Sequence, residues 1–263
     1  MMIFFIKFLF APQLFVWACQ HFEAMASFMN KFFKLNSFYF DKNLSDFVTE
    51  NKVKYILAYR NLIYSILFQF LFFIDCLVFF IGYFTESIIF NNKIKTVDTS
   101  FLGVFICLIC YPPFNYVSLS LSSWKRTETY FSFVADDISF INWLFYIVAL
   151  LLIILYVSAS VSLFTKASNL TNRGIVSRFP YNIVRHPAYI SKISLWWLAS
   201  FCVIKNFLIS QMYLKTFLYI IVALLWTFIY FLRAITEERH LLQDPEYRDY
   251  TKIVKYRFIP YVF

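Results

Sequence analysis

The sequence predicts an all-α protein, a multi-pass transmembrane helical bundle of about five spans that ends in a helical hairpin and a cytoplasmic amphipathic helix. Three observations predict it. Of 263 residues, 61% are hydrophobic and 15% charged, with a mean hydropathy of +0.65; a soluble domain carries about a quarter charged residues. So little polar surface does not cover a water-soluble globule. Second, four stretches reach the roughly 20 apolar residues that a spanning helix needs: Asn61–Phe84, Phe101–Leu121, Phe140–Phe164 and Met212–Leu232, with a shorter fifth at Ala188–Ile204. Third, the chain has only three glycines, Gly82, Gly103 and Gly174. No two are close enough for a Gly-x-Gly-x-x-Gly turn or a P-loop, which excludes the glycine-cradled nucleotide folds.

In chain order, Met1–Cys19 is interrupted by Lys7 and Pro12 and lacks a signal-peptide cleavage pattern, so it reads as an extra span or a membrane-surface segment. Phe22–Phe40 mixes Phe with Lys31, Lys34 and Asn36, as an interfacial helix does. Asn61–Phe84 carries Asp75 at mid-depth, either a bundle-facing functional group or a paired structural one. Pro112-Pro113 is expected to break the Phe101–Leu121 stretch, because proline removes an amide donor and clashes with the preceding turn. Lys205, Asn206 and Ser210 mark a turn that makes the last two stretches a hairpin. Basic residues flank that hairpin on both sides, Lys166, Arg173, Arg178 and Arg185 before it and six more after Leu232, and the positive-inside rule makes both flanks cytoplasmic. The organisation is a membrane-surface or extra-span segment over residues 1–60, a transmembrane bundle over 61–171 and a cytoplasm-facing core over 172–263, together one structural domain.

The net charge of +9 fits lipid headgroups rather than nucleic acid, since no basic cluster separates from a span. The five cysteines, at 19, 76, 107, 110 and 202, lie almost wholly in apolar runs. Cys107 and Cys110 have no second pair and no nearby His, so no metal site is expected. The 36 Phe and 19 Tyr read as compositional bias.

Chemistry concentrates in two polar blocks. The first, Asn172–Tyr189, brackets Arg185-His186 between Pro180-Tyr181 and Pro187-Ala188-Tyr189. Proline sets the residue before it extended and is well placed at the first turn of a helix. A guanidinium fork and an imidazole are thereby presented at the membrane surface, for a ligand or for lipid headgroups. The second block, Arg233–Leu242, continues the last helix out of the membrane. Arg233, Glu237 and His240 share one face, with Glu238 about 100° round. Local ion pairs, Arg233 with Glu237 and Glu238 with Arg239, are the alternative use of these charges. Beyond it, Asp244 reads as an N-cap with Pro245 at the first helical position. The helix that follows places Tyr247, Tyr250, Thr251 and Val254 on one face and Arg248, Lys252 and Lys255 on another, as a surface-lying lid would.

Residues 182–189, Asn-Ile-Val-Arg-His-Pro-Ala-Tyr, are followed by a hairpin, then Thr-Glu-Glu-Arg (236–239), Asp-Pro-Glu-Tyr-Arg-Asp-Tyr (244–250) and Val-Lys-Tyr-Arg-Phe-Ile-Pro (254–260). Over residues 172–263 this resembles the isoprenylcysteine carboxyl methyltransferase family, which is related to the phospholipid N-methyltransferases. The resemblance implies methyl transfer from S-adenosylmethionine to a lipophilic or lipidated acceptor. It places His186, Pro187, Tyr189, Glu237 and Glu238 in the cofactor pocket, with Arg185 beside it. Ser191 stands where many members have Gly, and Phe179 where a small residue is common. Tyr247 is a further candidate for the cofactor's cationic groups, and Arg173, Arg185 or Arg233 for orienting a carboxylate acceptor. Arg185, Arg233 and Glu237 are the expected catalytic groups. An amine acceptor would instead need Glu237, Glu238 or His240 as base. The Arg-His-x-x-Tyr hairpin is also similar to that of sterol reductases, which use NADPH.

Overall fold

The computed structural model describes residues 2–40, 44–86, 92–111, 140–260 and 262. Among them are seven α-helices and one two-stranded antiparallel pair. In order these are α1 (Met2–Phe40), α2 (Leu44–Phe84), β1 (Thr96–Val97), α3 (Phe101–Ile109), α4 (Phe140–Leu163), β2 (Thr171–Asn172), α5 (Pro187–Ile209), α6 (Tyr213–Leu241) and α7 (Pro245–Ile253). Thr96 pairs with Asn172 and Val97 with Thr171, a strand pair that the all-helical expectation did not include.

Four helical segments are long and apolar enough to cross a membrane: Lys54–Phe84, Phe140–Lys166, Pro187–Ile209 and Tyr213–Leu241. With this composition they mark an integral membrane protein. Of the expected Phe101–Leu121 span, only the nine residues of α3 are helical among those described. Ser100 caps its start by accepting from the Gly103 amide, and it ends at Cys110, two residues before Pro112-Pro113. The rest of that stretch lies outside the described residues.

The segment Phe22–Phe40 is not a separate interfacial helix. It is the second half of α1, which runs through Pro12 without a break. The reason is a partner: α1 lies antiparallel along α2, with aromatic contacts Phe10–Tyr83, Phe15–Phe80, Phe22–Phe73 and Phe32–Tyr59 at ring separations of 5.9, 5.2, 5.7 and 5.6 Å. The 39 residues of α1 measure about 60 Å at helical rise, twice the hydrocarbon thickness of about 30 Å. Length, not only polarity, therefore explains why this helix mixes apolar and charged turns.

Next, α2 and α4 run parallel, joined by Tyr64 against Tyr146 and by a hydrogen bond from Tyr156 Oη to Asp75 Oδ2 of 2.9 Å. Ala149, Ile153 and Val157 of α4 and Leu195 of α5 complete this core. The hairpin of α5 and α6 is antiparallel, with Trp196 on Trp226 and Trp197 Nε1 donating to Thr227 Oγ1 at 2.9 Å. Its turn is shorter than the sequence suggested: Lys205 and Asn206 remain helical, and only Ser210 to Met212 reverse the chain, with Gln211 at φ 56°. Cys110 packs against Trp196, Ala223 and Trp226, which seats the end of α3 on the hairpin.

The C-terminal ends of α2 and α4 are joined through Arg173. Its Nη1 donates to the carbonyls of Gly82 and Thr85 at 2.7 and 2.9 Å and reaches that of Thr165 at 3.3 Å. A cation suits a helix C-terminus, where free carbonyls concentrate negative charge. Burial lowers the pKa of this guanidinium. Gly82 permits the same junction, because a β-carbon there would meet the Ala167 carbonyl oxygen at 2.2 Å. Replacement of Gly82 by Ala is expected to cost about 1–3 kcal/mol by overpacking, readable as a lower thermal unfolding midpoint in detergent; an unchanged midpoint would show that the junction yields freely.

Candidate active site

The first polar block is a loop held from three directions. Arg178 donates through Nε and Nη2 to the Ser162 carbonyl at 3.1 and 2.7 Å, and Ser162 Oγ donates to the Phe179 carbonyl, fixing the loop to the end of α4. Tyr250 Oη of α7 donates to the Tyr181 carbonyl at 2.6 Å. The amides of Arg185 and His186 donate to the carbonyls of Tyr256 and Arg257, both at 2.9 Å. Pro187 then opens α5 at its first turn, where a missing amide hydrogen leaves nothing unsatisfied.

The second block emerges from α6 directly opposite. Consecutive residues on a helix point about 100° apart, and Glu237 and Glu238 accordingly serve different surroundings. Glu238 is 2% exposed and sits among three partners. Its Oε1 is 3.0 Å from His186 Nε2 and 3.2 Å from Arg185 Nε, and its Oε2 accepts from Arg257 Nε at 2.8 Å. A carboxylate only accepts, so His186 carries its hydrogen on Nε2. The Arg185 contact is a charge contact without hydrogen-bond geometry, which leaves that buried Nε without a hydrogen-bond partner.

Glu237 instead faces a cleft, where it accepts from Tyr189 Oη at 2.5 Å. Arg233, one turn back on α6, donates through Nε to the same Tyr189 Oη at 2.9 Å and through Nη2 to Asn169 Oδ1 at 2.6 Å. Tyr111 Oη donates to Asn169 Oδ1 at 3.0 Å, and its ring lies 5.4 Å from the Arg233 guanidinium. Asn169 is in turn fixed by Tyr83 Oη, within 2.7 Å of its Nδ2 and 2.9 Å of its amide nitrogen. The chain Tyr83, Asn169, Arg233, Tyr189, Glu237 thus ties α2, the loop before β2, α5 and α6 into one polar network. The local pairs Arg233–Glu237 and Glu238–Arg239 that helix spacing allows are absent among the described residues; Arg239 Nη2 donates to Ser100 Oγ at 2.5 Å instead.

The cleft encloses about 920 Å³, solvent at its mouth included. Asp98, Thr171, Arg185, His186, Glu237 and His240 line its mouth; Tyr156 and Lys192, seven residues before the end of α4 and five into α5, lie deepest, with Phe79, Ser160, Leu163, Tyr189, Asn169 and Arg233 between. His240 Nε2 is 3.0 Å from Thr96 Oγ1, which joins the mouth to the strand pair. Of the expected site residues, Arg185, His186, Tyr189, Arg233 and Glu237 line the cleft. Pro187, Glu238 and Tyr247 do not. Tyr247, 4% exposed, packs with Tyr250 and Val254 against Ile175 and Leu241, and burial raises its pKa. An aromatic ring at the first turn of an amphipathic helix is drawn to apolar neighbours first, and here they lie behind the cleft. Arg173 is likewise withdrawn, spent on backbone carbonyls. The helix α7 forms no lid among the described residues; it braces the loop from behind.

That brace begins at Asp244, the N-cap of α7, which accepts from the Glu246 amide at 3.0 Å, from Asn172 Nδ2 at 2.8 Å and from Lys95 Nζ at 3.1 Å. Partial burial opposes ionisation of this carboxyl, yet these hydrogen bonds hold its pKa below the usual carboxylate range. Asp98, Asn169, Tyr111 and Lys192 were not legible as site residues. Each is an isolated polar residue in a loop or an apolar run, with no spacing signal to its neighbours in the cleft.

The residues lining the cleft would have to hold the S-adenosylmethionine that the resemblance implies. Glu237 and Asp98, with the rings of Tyr181 and Tyr189, offer negative charge and aromatic faces to a sulfonium and an ammonium. Arg185, which lines the cleft, offers its guanidinium to a carboxylate. Ser168, Asn169 and Thr171 offer hydroxyl and amide groups for a ribose. Among the described residues no His, Cys, Asp or Glu cluster could hold a metal ion. Comparison of the chain with protein-family models, curated proteins and solved structures gives no significant match.

Proposed function

We propose that this chain is an integral-membrane S-adenosylmethionine-dependent methyltransferase. Its acceptor is lipophilic, a carboxylate of isoprenylcysteine type, and its cofactor end faces the cytoplasm. One observation carries the reading: a single cleft joins an acidic, donor-rich end between the two polar blocks to a deeper end where Tyr156 and Lys192 of the candidate spans lie. A charged nucleotide and a lipid-borne acceptor need that adjacency, since each is soluble where the other is not.

S-adenosylmethionine supplies an activated methyl group on a sulfonium sulfur. Bound there, it would pass that methyl carbon to an acceptor oxygen as the carbon–sulfur bond breaks, the bonding pair staying on sulfur. A carboxylate is already ionised at neutral pH, so no proton moves. What the protein contributes is position and exclusion of water. Glu237, oriented by Tyr189, would face the cationic group. Arg233, held on both sides by Tyr189 and Asn169, stands midway along the cleft, where it can orient an anionic acceptor. Glu238 is a positioning residue on this reading, acting through Arg185 and His186.

Calorimetry with S-adenosylhomocysteine in detergent is expected to show saturable binding, weakened about tenfold or more by Glu237→Gln, on the scale of one charge-assisted contact. No binding by the unaltered protein in several detergents would overturn the proposal. Binding of NADPH in its place would assign the chain to the reductase reading.

A further inference from the structure

The inner end of the cleft holds a cation for which cofactor binding gives no use. Lys192 enters it from α5, beside Tyr156 and Ser160 of α4. It lies five residues into the helix, about 8 Å along the axis from Pro187. Among the described residues its Nζ rests against ring faces, 4.8 Å from the centroid of Tyr156 and 5.6 Å from that of Tyr230. Asp75 of α2 is within electrostatic reach, but it does not line the cleft. Its Oδ2 accepts from Tyr156, and its Oδ1 is buried without a hydrogen-bond partner. The neighbouring cation, Arg233, bonds to the neutral groups Tyr189 and Asn169. Among the described residues neither Lys192 nor Arg233 has a carboxylate in direct contact. A cation left so in a poor dielectric is unfavourable unless an anion joins it.

We propose that Lys192, flanked by Tyr156, anchors the head of an anionic single-chain amphiphile, a carboxylate or a phosphate, in a subsite at membrane depth. This rests on the methyltransferase reading only in that the acceptor would occupy the subsite. It adds a selection rule: an ammonium-headed lipid is repelled, because the group that meets it is itself an ammonium. Phe79 and Leu163 add apolar surface to the same cleft on the α2 and α4 side.

Binding of four twelve-carbon probes to the full chain in detergent, read by native mass spectrometry, tests this. The probes are dodecanoate, dodecyl phosphate, dodecanol and dodecyltrimethylammonium. One or both anionic probes are expected to bind at least tenfold more tightly than the other two, and the tighter one identifies the head group. Lys192→Met is expected to erase the preference and Lys192→Arg to restore most of it. Equal binding of anionic and neutral probes by the unaltered protein overturns the proposal without any variant having to fold, as does a preference that survives in Lys192→Met. S-adenosylhomocysteine binding, measured on the same samples, reports separately on the proposed function.

Discussion

Replacing Glu238 by Gln is expected to lower the thermal unfolding midpoint by about 6–12 °C. The exchange keeps the side chain's size and removes its charge, leaving Arg185 and Arg257 facing an amide whose own NH2 group is a donor. Removing one partner of a buried ion pair costs about 3–5 kcal/mol. Because Arg257 is 32% exposed, the lower end, about 3 kcal/mol, is the better guide, and at this chain length that is about 2–4 °C per kcal/mol. The double variant Glu238→Gln, Arg257→Met should recover part of the loss, since one orphaned cation is then gone. Unfolding followed by circular dichroism in detergent reads both. A single variant within 1 °C of the parent would mean that Glu238 does not hold the loop.

The second large effect is expected at Arg233, where Lys keeps the charge and loses the fork. Arg233 spans from Tyr189 on α5 to Asn169 before β2 with two different nitrogens, a geometry that one ammonium does not reproduce. Arg233→Lys is expected to lower kcat/KM for methyl transfer about 100-fold, the scale on which misplacement of reacting groups by about 1 Å acts. S-adenosylhomocysteine affinity is expected to fall far less, because the outer-end groups are untouched. Transfer of radiolabelled methyl to lipid extract, measured beside calorimetry, separates the two. A loss of cofactor affinity as large as the loss of rate would move Arg233 from the acceptor to the cofactor.

Much of the scaffold could be read from residue patterns. Apolar runs located the four helices long enough to cross a membrane, along with a fifth stretch, Phe101–Leu121, of which only the nine residues of α3 are helical among those described; Pro187, Asp244 and Pro245 marked helix starts with a mechanism behind each. The i, i+4, i+7 spacing of Arg233, Glu237 and His240 placed them on one wall of one cleft. What spacing does not carry is the identity of partners far away in the chain. Glu237 and Glu238 look alike as a pair, and only the approach of the 254–258 segment decides that one faces the cleft and the other is enclosed. The turn at Lys205-Asn206 was misplaced for a related reason: polar residues at a helix end and in a turn look the same until the capping carbonyl is known. Asn169 sits at the centre of the polar network, yet in the chain it is one polar residue among several in a loop. The length of α1 depended on the aromatic face of α2, which local composition does not reveal.

The amides of Arg185 and His186 are held by the carbonyls of Tyr256 and Arg257, and this gives the site a timetable. The spans and both charged walls of the cleft are synthesised before residue 254, so the bundle can insert in the bilayer while its loop still lacks two hydrogen bonds and a cation for Glu238. Assembly of the pocket therefore waits on the 254–258 segment. An insertion-competent chain without that segment would be a folded set of helices whose Arg-His-Pro loop has lost its registration, and immunodetection in the membrane would count it as present when it cannot act.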